Sequence, residues 1–177
     1  MKYVLTIAIV FAVLIVGALL YVWSGSYNIA ATVPHWSITS SLIDTLKDRS
    51  IEAHSTDILS PNLDDPKLKE QAFPHYHEMC RLCHGAPGYS PQEFATGLYP
   101  SPPSMTKGDF QQELTDAEIY WIVKHGIKMT GMPAFGSTHK DEILWGLVAL
   151  AKEMPRMSPE QYQRRVKEMG LSPEARK

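Results

Sequence analysis

Cys80-Arg81-Leu82-Cys83-His84 decides how this chain is read. A C-x-x-C-H run is the attachment site of a c-type haem: two cysteines one helical turn apart can each form a thioether bond to one porphyrin, and the histidine that follows lies under the iron. Cys80 and Cys83 are the only cysteines in the chain. A disulfide between them would close a strained loop, a redox-active dithiol expects a βαβ setting, and a zinc site needs two further ligands. Haem c, one group covalently held, is the reading that uses all three residues.

Working outward, Lys67 to Cys83 reads as the helix that delivers the motif, with Asp65 as its cap and Pro66 at its first position. Pro74 lies inside it, and an interior proline predicts a kink, or a helix that restarts near His75. Gly85 to Met105 holds Pro87, Gly88, Pro91, Gly97, Pro100, Pro102 and Pro103, so it reads as a long loop wrapped over an apolar surface. Thr115-Asp116-Ala117-Glu118 is a capping box opening a helix that Gly126 can end. Lys140 to Met154 keeps helical period through Ile143, Leu144, Leu147 and Leu150, and Ser158-Pro159-Glu160-Gln161 opens a last helix carrying Tyr162, Val166 and Met169. Upstream, Ile38, Leu42, Ile43 and Leu46 predict another helix, with a second short stretch starting at Ser50. No strand pattern occurs, and the fold class is all-α.

An iron held by His84 needs a second axial ligand. Met132, in Thr130-Gly131-Met132-Pro133-Ala134-Phe135, sits on a loop where it has no helical core face to fill, whereas Met105, Met154, Met157 and Met169 read as ordinary packing. Met129 is the rival, in a setting less rigid for want of an adjoining proline. The remaining histidines, His35, His54, His75, His77, His125 and His139, offer a bis-histidine alternative, with His125 better read as a helix C-terminal cation and His75 and His77 as surface or haem-edge residues.

Together, helix, C-x-x-C-H, proline-rich loop, helix, G-M-P-A-F and final helix resemble a class I cytochrome c of the bacterial membrane-anchored monohaem type, over roughly residues 65–154. The resemblance implies His84 as proximal ligand, Met132 as distal ligand, and a proline carbonyl receiving the histidine's other N–H. Pro103 fits that place, with Pro102 as the alternative. It also implies a crossing of first and last helices through Ala72, Tyr76 and Trp145. Because the family more often has glycine where Ala72 stands, a slightly wider crossing is expected.

Residues 3–23 carry no charged side chain, and about 21 helical residues at ~1.5 Å each span a bilayer's ~30 Å hydrocarbon core. Residues 1–23 therefore read as a retained transmembrane anchor; the alternative, a cleaved signal, lacks an A-x-A-like site. Lys2 before the span and Tyr21 and Trp23 after it place the N-terminus in the cytoplasm and the haem domain in the periplasm, on a single-pass protein of the bacterial cytoplasmic membrane. Residues 24–64 then form a linker with accessory helices, 65–154 the monohaem domain and 155–177 a helical extension. The net charge of −2 gives no basic field for nucleic acid.

With both axial positions filled by protein, the implied function is single-electron transfer rather than catalysis, between redox proteins such as a membrane oxidoreductase complex or a soluble periplasmic carrier, with membrane lipid as a further contact. A haem-based NO or CO sensor with a displaceable methionine is the competing class.

Overall fold

The computed structural model describes residues 1–172. The chain divides into two compact units, 1–34 and 35–177. The first contains α1, Lys2–Trp23, a single apolar helix with no buried residue. By length and composition it can cross a membrane.

The second unit is helical, and no β-strand forms among the described residues; one isolated bridge joins Ala86 and Tyr89. Its helices are α2 (Ser37–Ser55), α3 (Pro66–His75), α4 (Arg81–His84), α5 (Asp109–Glu113), α6 (Asp116–His125), α7 (Asp141–Glu153) and α8 (Pro159–Glu168). The capping boxes at Thr115/Glu118 and Ser158/Gln161 are both formed. At the start of α3, the Lys67 N–H donates to the Asp65 carboxylate at 2.9 Å. Residues 37–55 form one uninterrupted helix rather than two. The stretch at Ser50 lacks the glutamate or glutamine that would complete a capping box at Ala53, so nothing there restarts the helix.

Between α3 and α4 the backbone does not break after Pro74. It widens into a π-helical turn over Tyr76–Cys80 and then tightens again. Proline brings no N–H to the helical ladder, and a wide turn of this kind absorbs the local mismatch while keeping the axis continuous. Gly85, at φ 71°, ends the run. A Cβ there would lie 3.1 Å from the Tyr89 carbonyl oxygen.

The crossing of α3 and α7 is the centre of the core. A Cβ on Gly146 would come within 2.3 Å of the Leu68 carbonyl oxygen and 2.6 Å of the Ala72 Cβ. The expected wider crossing is therefore not seen: the glycine stands on α7 instead of α3, and the two backbones meet closely. Phe73, Leu144, Leu150 and Met154 are fully buried around this point. Trp145 stacks on Tyr120 of α6, ring centroids 4.1 Å apart. Tyr162 and Val166 of α8 enter the same core, so the C-terminal helix closes it, while residues 173–177 of the predicted extension lie outside the described residues. α2 joins through Ile51 and Ser55, packed towards α6.

Candidate haem-binding site

Cys80 and Cys83 are free thiols at the end of the π turn and within α4. Burial, then the neighbouring Cys83, pushes the Cys80 thiol up to about 12, and burial raises Cys83 as well. Both stay protonated at neutral pH. That is the reverse of a reactive dithiol, whose attacking cysteine is held as thiolate.

His84 closes α4. Its Nδ1 lies 2.8 Å from the Pro103 carbonyl oxygen, so Nδ1–H donates and the lone pair is left on Nε2. Burial lowers the His84 pKa and the Pro103 bond partly offsets this, which keeps the ring neutral, the form that ligates a metal. The wrap that supplies Pro103 is fastened on both flanks. Gln92 N–H donates to the Leu82 carbonyl at 2.8 Å, and Met105 N–H to the His84 carbonyl at 3.2 Å. Gln111 then holds the Met105 carbonyl at 2.8 Å and the Ala151 carbonyl at 3.0 Å. On the other side, the Tyr76 hydroxyl donates to the Gly85 carbonyl at 2.8 Å, fixing the end of α4 against the core.

Met132 is half-buried on the loop between α6 and α7. Its N–H donates to Thr130 Oγ1 at 3.1 Å and its carbonyl accepts from Ile127 N–H at 3.2 Å. Gly126, at φ 66°, allows the loop to double back: a Cβ there would sit 2.7 Å from the Met132 carbonyl oxygen. Gly131 packs against Leu98, whose two methyls would be 2.9 Å from an added Cβ, so this loop meets the proline-rich wrap. Met129 turns its side chain to solvent, 99 % exposed, from a backbone at φ 59°.

Two protonated thiols, an imidazole whose Nδ1 is taken up by Pro103 and a thioether are the sulfur and nitrogen donors that an iron porphyrin carried on thioether bonds would use. Residues 68–150 match the family described as cytochrome c oxidase, cbb3-type, subunit III. This segment is a class I cytochrome c domain. No curated protein and no solved structure matches the chain.

The histidines of the cytochrome c domain and its flanks each have other engagements. His54 Nδ1 bonds the Ser50 carbonyl at 2.7 Å, and His125 lies against Trp121, ring centroids 5.1 Å apart. His75 Nδ1 and His139 Nε2 pair at 3.2 Å. His77 corrects its expected place at the surface or haem edge: it is 2 % exposed, held by the Tyr162 hydroxyl at 3.1 Å and the Ser172 carbonyl at 2.7 Å. Beside it Arg81, one of the two variable positions of the motif, is buried. Arg81 donates Nε–H to the His77 carbonyl at 3.0 Å and lays its guanidinium over Tyr89, 4.7 Å from the ring centroid. Nη2 has no hydrogen-bond partner among the described residues, and the aromatic face stands in for one. Sequence reading missed His77, Arg81 and Gly146. The only available signal was that His77 and Arg81 are four apart and share a helical face.

Proposed function

We propose that the chain is a membrane-anchored c-type cytochrome that passes single electrons between redox proteins, through one haem attached at Cys80 and Cys83 and ligated by His84 and Met132. The observation that carries the reading is the His84 Nδ1 to Pro103 carbonyl bond at 2.8 Å, inside a C-x-x-C-H motif of a cytochrome c domain. When bound, the haem supplies one-electron chemistry by alternating its iron between ferric and ferrous. His84, tied to Pro103, holds one ring orientation, and the carbonyl increases the basicity of Nε2. Met132 offers a soft thioether, which favours the ferrous state and raises the potential relative to a second nitrogen ligand. Two protein ligands leave no open coordination position for a substrate, hence a carrier rather than an enzyme.

α1 serves as the anchor, with the N-terminus in the cytoplasm and the cytochrome domain in the periplasm of a bacterial cell. Tethering raises the effective concentration of any partner in the same membrane. The family description points to a terminal oxidase assembly as the kind of electron acceptor such a domain serves.

The test is a pair of substitutions on the full-length protein. Met132→Ala is expected to keep the haem attached, abolish the long-wavelength sulfur-to-iron charge-transfer band of the ferric protein and admit CO. It should also lower the midpoint potential by on the order of 0.2 V, within the ~0.8 V that axial ligation spans. Met129→Ala is expected to change none of these. The reverse pattern, or a native protein that binds CO rapidly, overturns the ligand assignment and favours the sensor class.

A further inference from the structure

α2 has two unlike faces. Ser40, Lys47, Ile51 and Ser55 turn towards the domain and are half-buried or buried. At 100° per residue, Ile38, Leu42 and Leu46 fall on roughly the opposite side, and they are 68 %, 67 % and 72 % exposed. A helix that already packs on α6 through Ile51 thus turns most of its large aliphatic side chains away from its own core. The sequence around this stripe is equally unusual. The charge-free run that makes α1 a membrane span does not stop at Trp23: no Asp, Glu, Lys or Arg occurs until Asp44. Residues 24–36 can extend at most about 45 Å, so the first turns of α2 cannot stray far from the end of the span.

We infer that the Ile38, Leu42 and Leu46 face of α2 lies in the interfacial layer of the same bilayer that α1 crosses, as a second membrane contact. The inference rests on the reading of α1 as a membrane span. Three observations select lipid as the occupant: the tether keeps α2 at the membrane, the stripe is aliphatic, and the segment leading to it is free of charge. Charge selects the kind of attraction. The helix carries Asp44, Asp48 and Glu52 against Lys47 and Arg49, so it offers anionic headgroups no net pull. Apolar burial drives the contact, and it is indifferent to headgroup charge.

The experiment uses the full-length haem protein, one chain per lipid nanodisc, with single cysteines introduced at Val13, Ile38, Leu42, Leu46, Ser41 and Glu52. The native cysteines are consumed by haem attachment. Reaction with a charged, water-soluble maleimide is timed in discs of zwitterionic lipid and again in discs containing anionic lipid. Thiols at 13, 38, 42 and 46 are expected to react several-fold more slowly than those at 41 and 52, equally in both lipids. A slow thiol at 13 with thiols at 38, 42 and 46 as fast as those at 41 and 52 overturns the second contact and leaves the span intact. A fast thiol at 13 overturns the span itself. Protection of the stripe that appears only with anionic lipid overturns apolar seating, and protection lost when the discs hold one chain but regained with two makes the occupant a second copy.

Discussion

The two sides of the candidate haem site are held by different means. On the His84 side, every anchoring group is buried or tied to something buried: Tyr76 to Gly85, His77 to Tyr162 and Ser172, Gln111 to Met105 and Ala151. On the Met132 side the loop is half-exposed and depends on short backbone bonds and on glycines that allow close approach. The first arrangement resists motion because releasing any member uncovers a polar group in the core. The second is set by backbone conformation, which a single Cβ can alter. Under the proposed ligation, His84 is given a rigid mount, and Met132, which would tune the potential, an adjustable one.

The largest test of this contrast removes the mount's purpose. Replacing Cys80 and Cys83 together with Ala is expected to abolish covalent haem and prevent the domain from folding, since a segment of under ~100 residues built around a large apolar cofactor lacks sufficient core without it. Circular dichroism and a haem stain read the result. A folded, haem-free domain would show that the buried network suffices alone.

Gly146→Val comes next. With a Cβ placed 2.3 Å from the Leu68 carbonyl oxygen, α3 and α7 must separate, at a cost of about 3 kcal/mol or more in denaturant unfolding. Both ligands are expected to be disturbed together.

Gly126→Ala should separate the two sides. At φ 66°, with the Met132 carbonyl 2.7 Å from the added methyl, it is expected to cost ~1–3 kcal/mol. It should weaken the methionine charge-transfer band while leaving haem attachment complete; loss of attached haem would mean the distal loop is not independent.

The smallest effect is one of pH. Burial is the main cause that holds the His77 pKa below its usual value; the Ser172 bond opposes it, Arg81 adds to it and Glu78 opposes. His75 is lowered by burial and by His139. In the unfolded chain these rings titrate near 6.5, so below that pH the unfolded state takes up more protons than the folded one and stability falls as pH drops, levelling off only below the folded values. Thermal melts from pH 7.5 to 5 are expected to show a fall of a few degrees that His77→Gln reduces. An unchanged slope in that variant would remove His77 from the account.

The local signals of fold and site were plain in the sequence. Capping residues at Thr115 and Ser158, the period of α7 and the C-x-x-C-H run each rest on neighbours in the chain, and local chemistry sets them. What escaped depends on partners far along it. Gly146 shows its purpose only against Leu68, and the expected glycine position was occupied by Ala72. His77 and Arg81 look like surface residues until α8 arrives with Tyr162. The helix from Pro66 was expected to kink or restart after Pro74, and instead it widens into a π turn over Tyr76–Cys80, which accommodates the missing proline N–H.

Order of synthesis gives α8 a further meaning. Tyr162 and Ser172 grip His77, three residues before Cys80, and Arg165 sets its guanidinium over Phe73, 5.9 Å from the ring centroid. These residues lie C-terminal to Cys80, Cys83 and His84, so a chain made from its N-terminus presents that segment before them. Until they arrive, that segment lacks the cover they supply. Docking of α8 closes that interval, and under the proposed attachment it bounds the time in which Cys80 and Cys83 are open to haem.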